Sequence, residues 1–136
     1  MSIYFYLKLY LLTIPVFFAI DMIWLAGIAK NFYRPRIGHL MSDEVNWIAA
    51  FSFYLLFIIG IILFGVRPGL LSGQWQEAAL YGALFGFFTY ATYDLTNMAT
   101  LRDWSLTVVI VDIIWGMVLC GSVSVISFLI GSWLRG

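Results

Sequence analysis

The sequence predicts an all-α membrane protein, a bundle of four transmembrane helices with both ends of the chain on the same side. Of its 136 residues, 63% are hydrophobic and only 10% are charged, whereas soluble domains carry roughly 25% charged residues. A bilayer core about 30 Å thick is crossed by roughly 20 apolar residues in a helix. Four segments meet that need: 7–29, 47–66, 77–98 and 105–134. The length predicts one integral-membrane domain over 1–136.

The first segment is predicted to be a retained helix. The small residues Gly27-Ile28-Ala29 would also suit the cleavage site of a secretory signal. However, Asp21 interrupts the apolar region and Lys8 is the only basic residue before it, which favours a helix that stays in the protein. Pro15 removes one backbone donor and therefore predicts a kink.

Polar connections separate the four segments. The first is "KNFYRPRIGHLMSDEVN" at 30–46, and the third is the short stretch 99–104. The second, "RPGLLSGQWQ" at 67–76, is predicted to be a turn through Pro68-Gly69 and Ser72-Gly73. Four tryptophans fall near predicted helix ends: Trp47, Trp75, Trp104 and Trp133. Indoles favour the interface between lipid and water, which supports these boundaries.

Three predicted helices each carry one aspartate close to the same membrane surface: Asp21, Asp94 and Asp112. An ionised carboxylate inside a helix costs about 2.5–3.5 kcal/mol to insert, so membrane acids usually face the bundle interior and mark a functional site. The alternative is structural, with the acids bonded to indoles, hydroxyls or arginines that hold the helices together. The same membrane side carries four Lys/Arg and the other side three, so the positive-inside rule favours a cytoplasmic aspartate side only slightly.

Two patterns surround these acids. "DMIW" and "DIIW" place Trp24 and Trp115 three residues after an aspartate, and an indole N–H can donate to a carboxylate. This repeat predicts that the tryptophans neighbour the acids across the bundle. In the third segment, four residues spaced four apart share one helix face: Gly82, Gly86, Tyr90 and Asp94. Two further polar residues, Tyr93 and Asn97, lie beside this face. The Gly-x-x-x-Gly spacing predicts close helix packing, with a polar pocket beyond it.

Further candidate residues lie in the connections. His39 is the only histidine; it would serve as a general base, as a metal ligand with carboxylates, or simply as an interfacial group that binds water. Catalytic zinc normally takes three protein ligands rich in His, so one histidine with aspartates would make a weak zinc site and no metal ligands are assigned. The sequence leaves the cofactor unknown. Arg34 or Arg36 would hold a phosphate or carboxylate head group, or would only anchor the membrane interface. Arg102 and Asp103 are expected beside the same pocket.

Charge and cysteine content exclude several classes of protein. Seven Lys+Arg balance seven Asp+Glu, so nothing indicates a nucleic-acid partner. Cys120 is the only cysteine, which excludes a disulfide framework and a cysteine zinc cluster. The expected partners are membrane lipids.

Four stretches carry a resemblance to a known family: "DMIW", "NFYRPRIGHLM", "YDLTNMATLRDW" and "VVIVDIIWG". Together they resemble a group of small bacterial membrane proteins that is catalogued only as a domain of unknown function. The resemblance covers almost the whole chain. It implies four helices and a multi-pass location in the bacterial inner (cytoplasmic) membrane, and it brings no activity and no catalytic residue.

Three functions are therefore weighed. The first is a membrane-embedded enzyme acting on a lipid or other apolar substrate, with the three aspartates and His39 as acid/base groups. The second is a non-catalytic binding or accessory protein. The third is a proton-coupled transporter working as an oligomer, such as a homodimer, but the second segment offers only Ser52 as a polar residue for a pathway. The one-sided polar groups favour the first two, and the cost of three carboxylates at one depth favours the enzyme.

Overall fold

The computed structural model describes residues 1–136 and contains helices but no strands. The predicted all-α class is therefore confirmed. The long helices and one short helix are α1 (Ile3–Phe32), α2 (Arg34–Ile37), α3 (Trp47–Ser72), α4 (Trp75–Thr100) and α5 (Leu106–Arg135). A short 3-10 turn, Gly38–Leu40, follows α2.

Three of the long helices are long and apolar enough to cross a membrane: α1, α3 and α5. The fourth, α4, has 26 residues but is less apolar, because it has Gln76 and Glu77 in its first turn and carries Asp94 and Asn97 near its end. The multi-pass membrane character is therefore supported. The count of four spans and the placement of both termini on one side stay predictions.

Side-chain caps explain where three of the long helices begin. Ser2, Asn46 and Ser105 each accept a hydrogen bond from the backbone N–H three residues further on, which satisfies one of the free donors of the first turn. Helix α4 has no such cap, but Glu77 lies in its first turn, where the helix dipole favours a negative charge.

Two long helices contain a π-helical segment. Helix α1 consists of Ile3–Trp24, the π segment Leu25–Ala29 and Lys30–Phe32. Helix α3 consists of Trp47–Ile61, the π segment Ile62–Val66 and Arg67–Ser72. A π segment inserts a residue into the helical repeat and shifts the face that later residues present.

The predicted turn over 67–76 is wrong for most of its length, because Arg67–Ser72 is helical. Pro68 lies in the first turn of this new α segment, where its missing N–H costs little. The chain reverses only after Gly73, whose φ of 74° ends the helix in the left-handed conformation. Likewise, α1 continues through Pro15 and past its predicted end at residue 29.

The closest helix packing is between α4 and α5, along the predicted glycine spacing. A Cβ atom on Gly86 would overlap the carbonyl oxygen of Gly116, and one on Gly82 would lie 2.7 Å from the carbonyl oxygen of Cys120. Only glycine fits at these two positions. The seam ends where the ring of Tyr90 packs onto Gly116, and beyond that point larger side chains lie between the helices.

Most apolar side chains face outward. Only 30 of the 136 residues are buried, and Ile48 is 84% exposed. The buried apolar core lies among all four long helices: Leu9, Phe17, Ile58, Ile61, Leu119 and Val123. Such an outer surface suits lipid as the surrounding solvent, since a water-soluble monomer rarely exposes so large an apolar area.

Candidate functional site

The three predicted aspartates converge inside the bundle. Their side chains are only 7% (Asp21), 0% (Asp94) and 8% (Asp112) exposed. Asp112 on α5 lies close enough to interact with both Asp94 on α4 and Asp21 on α1. No group of three acidic, histidine or cysteine side chains is arranged to hold a metal ion. The carboxyl cluster is thus built from three helices.

Asp94 is the most unusual member of this cluster. Its carboxyl group lies beside that of Asp112, close enough for the two to share a proton, and no other donor of the protein reaches either of its oxygen atoms. Leaving a buried polar group without a partner costs about 1–3 kcal/mol, and more for a charge. A fold that keeps such a group carries a cost that packing alone does not explain.

Asp112 is held by a short chain of aromatic donors. The hydroxyl of Tyr33 donates to Asp112 Oδ1 at 2.6 Å, and the indole N–H of Trp24 donates to the Tyr33 oxygen at 3.2 Å. Burial raises the pKa of the Tyr33 hydroxyl, and the hydrogen bond to Asp112 acts in the same direction. Tyr33 therefore keeps its proton and remains a donor.

The two Asp-x-x-Trp repeats pair crosswise. The rings of Trp24 and Trp115 stack with centroids 4.5 Å apart and planes 7° from parallel. Trp24 of α1 reaches towards Asp112 of α5 through Tyr33, while Trp115 of α5 lies against Asp21 of α1. The tryptophans are thus neighbours of the acids, as predicted. Trp24 donates to a hydroxyl instead of a carboxylate, and the Trp115 N–H approaches the Asp21 carboxyl group without reaching standard hydrogen-bond geometry.

Three adjoining cavities meet at Asp112, with volumes of about 630, 430 and 190 Å³. Asp112 and Tyr54 line all three of them. The largest extends towards the first connection and includes Lys30, Arg34 and Trp104 in its wall. The first two volumes fall within the range of small-molecule sites.

The two smaller cavities share Tyr54 and Asp112 with the largest one. The cavity of about 430 Å³ is lined mainly by aromatic residues of α3 and α4: Phe53, Tyr54, Phe57, Tyr90 and Tyr93. The cavity of about 190 Å³ contains Asp21, Trp24, Tyr33 and Trp115. Asp94 lines none of the three, but its carboxyl group lies beside that of Asp112, which lines all of them.

Several predicted site residues lie elsewhere. His39 is exposed in the 3-10 turn after α2 and lines none of the three cavities, so it does not share the pocket of the aspartates. Arg36 is also turned away; it donates to the carbonyl oxygen of Phe32 at 3.0 Å and lies 4.4 Å over the Phe32 ring. Arg102 and Asp103 are exposed in the last connection. Asn97 is half-buried and lines none of these cavities.

The sequence reasoning missed four residues of the site: Lys30, Tyr33, Tyr54 and Trp104. Tyr33 makes the shortest contact with Asp112, but the π segment between Asp21 and Tyr33 prevents a simple helical repeat from placing it. Tyr54 could have been proposed from the sequence, because it brings a hydroxyl group into the second apolar segment. In the structure it lines the same cavities as Asp112. Ser52 is instead exposed.

These features define a helical, multi-pass membrane protein with a buried carboxyl cluster at the junction of three cavities. A family profile, described as "Predicted membrane protein (DUF2177)", matches residues 6–129. The chain belongs to this family of predicted membrane proteins, whose function is unknown. No curated protein and no solved structure matches the chain.

Proposed function

We propose that the protein is a membrane-embedded enzyme that acts on a lipid or another apolar substrate. The observation that carries this proposal is the placement of the Asp94 carboxyl group, which is fully buried, receives no hydrogen bond from any other group of the protein, and lies beside the carboxyl group of Asp112. In other enzymes, adjacent carboxyl groups share one proton and divide the roles of acid and base between them. Asp112 lines the cavities and would contact the substrate.

The other polar residues take supporting roles in this proposal. Tyr33 orients the Asp112 carboxyl group through its hydrogen bond, and Trp24 fixes Tyr33 in turn. Asp21 and Trp115 form the wall of the smallest cavity. His39 has no role, because it lies outside the cavities. The acid/base chemistry therefore rests on the carboxyl groups alone.

Exchanging each carboxyl group for an amide tests the enzyme. The wild-type protein, reconstituted with bacterial membrane lipid extract, should convert a lipid to a product seen by mass spectrometry. Asp112→Asn and Asp94→Asn should each lose on the order of a hundredfold in rate or more, since positioned acids and bases contribute about that much. Asp43→Asn is the matched control, because Asp43 is exposed in the first connection.

Two results would contradict the enzyme. One is full turnover in both variants of the cluster, and the other is a wild-type protein that converts no lipid of the extract. A lipid that is retained by the wild-type protein but never converted would instead favour the binding protein.

We also propose that α4 crosses the bacterial inner membrane as a fourth span, which places both termini on one side. Its 26 residues extend about 39 Å at 1.5 Å per residue, more than a bilayer core of about 30 Å. Its buried face runs from Ala78 to Asp94 and supports packing along α5. Cysteines introduced at Ser2 and Gly136 should be labelled from the same face of sealed vesicles; labelling from opposite faces would contradict this topology.

A further inference from the structure

We infer that the ligand of this site is an anionic lipid, with its acidic head group on Arg34 and Lys30 and its acyl chain between α3 and α4. This inference depends on the proposed function only for the chemistry at Asp112. The binding itself can be tested without turnover.

The head-group end is the cavity of about 630 Å³. Lys30 and Arg34 are the basic residues in its wall. Trp104 lines the same cavity, and its indole N–H is buried without a hydrogen-bond partner. Two cations therefore line one space, with the Trp104 side chain beside them. An acidic head group supplies acceptor oxygens for both cations, and charge-assisted hydrogen bonds of this kind are the strong ones.

The two arginines next to Pro35 differ in a way that the sequence does not show. Arg34 lines the cavity, whereas Arg36 binds the carbonyl oxygen of Phe32 and covers the Phe32 ring. The two residues are separated only by Pro35 and carry the same charge. Arg36 is therefore a matched control for Arg34, because its removal changes the net charge equally but leaves the cavity wall intact.

The chain end is the cavity of about 430 Å³, which shares Tyr54, Tyr93 and Asp112 with the head-group cavity. Its remaining wall is mostly aromatic. The Trp47–Ile61 part of α3 packs against α1 and α5 and reaches α4 through ring contacts, such as Phe57 with Phe85 at 5.3 Å. A cleft between two helices with apolar walls admits an acyl chain sideways from the bilayer.

The two cavities together favour a lipid over a free anion. A small anion such as phosphate would use only Arg34 and Lys30, and would leave the aromatic cavity without an occupant. A lipid fills both, and its bonds between head group and chain then lie next to Asp112, which lines both cavities.

Native mass spectrometry with two lipids of equal chains, phosphatidylglycerol and phosphatidylcholine, tests this inference. The wild-type protein should retain the anionic lipid in preference to the zwitterionic one. Arg34→Gln should reduce that preference on the order of tenfold, as expected for one charge-assisted hydrogen bond. Lys30→Gln should reduce it in the same direction, and Arg36→Gln should leave it unchanged.

The inference is overturned if the wild-type protein retains both lipids equally, or if Arg34→Gln and Arg36→Gln have the same effect. Displacement of phosphatidylglycerol by millimolar inorganic phosphate would also overturn it, since the site would then bind a free anion. Asp94→Asn separates the two proposals, because Asp94 lines none of the cavities. Retention of the anionic lipid without turnover by any form of the protein would support this inference and contradict the enzyme. Turnover that depends on Asp94, without any preference for the anionic lipid, would support the enzyme and contradict this inference.

Discussion

The two halves of the helix bundle are packed by different residues. In the half that contains Gly82 and Gly86, which we call the closed half, backbones of α4 and α5 touch. In the half that contains the three aspartates, the open half, tyrosine and tryptophan rings lie between the helices and cavities remain. The change occurs at Tyr90, whose ring occupies the space above Gly116.

Buried polar groups differ between the halves in the same way. In the closed half, the hydroxyls of Thr13 and Ser127 bond to each other at 2.7 Å, and Thr13 also donates to the carbonyl oxygen of Leu9. Ser124 is the exception, since its hydroxyl has no partner. In the open half, no other donor of the protein reaches either oxygen of Asp94. Burying an unpaired carboxyl group costs more free energy than burying an unpaired hydroxyl. The comparison indicates that the closed half is organised for stability and the open half for a ligand.

The largest effect is expected for Gly86→Ala in the closed half. The added methyl group would overlap the backbone of Gly116, which cannot move aside as a flexible side chain can. We expect a loss of about 3 kcal/mol in the free energy of unfolding, at the upper end for overpacked cores. Unfolding in mixed detergent micelles measures it.

Gly121→Ala provides the control for that substitution. A Cβ atom on Gly121 would lie 3.6 Å from the carbonyl oxygen of Ala79, an ordinary contact. Its stability should be unchanged or increased by up to about 1 kcal/mol, since alanine favours helix more than glycine does. Equal stability of the two variants would contradict the close packing at Gly86.

A smaller effect is expected for Thr13→Val, which keeps the shape of the side chain but removes its hydroxyl. Ser127 would lose its partner inside the bundle. The expected loss is about 1 kcal/mol in the free energy of unfolding, the usual value of one hydrogen bond. Replacing both residues, as Thr13→Val with Ser127→Ala, should restore part of it, because no unpaired hydroxyl then remains; no recovery would argue against a paired role.

The sequence predicted the closed half better than the open half. The helices of the closed half could be predicted from the length of the apolar segments, and their contact from the spacing of Gly82 and Gly86. Both are local features of the sequence, and the structure agrees with both. The convergence of Asp21, Asp94 and Asp112 was also predictable, since counting the predicted spans places all three near the same membrane surface. The partners of these acids were not, because Tyr33 follows a π segment that shifts the helical repeat.

The errors have physical causes as well. Pro68-Gly69 is a turn signal in water, but after a π segment the chain continues as a helix through both residues. His39 was expected on the same membrane side as the acids, yet the 3-10 turn places it on the surface, away from the cavities that they line. Arg34 and Arg36 were equivalent by sequence, and the structure distinguishes them, because Arg34 lines a cavity whereas Arg36 is held on Phe32.

The central claim is that the closed half is organised for stability and the open half for a ligand. The free energy of unfolding of the Asp94→Leu variant tests it most directly. Leucine has a similar size and no polar atoms, so it removes a buried carboxyl group that lies beside a second carboxyl group and that no other donor of the protein reaches. If the open half is kept for a ligand and not for stability, the free energy of unfolding should rise by about 1–2 kcal/mol, while Thr13→Val lowers it. A loss of stability in Asp94→Leu comparable to that in Thr13→Val would contradict the account, because Asp94 would then help to hold the bundle together.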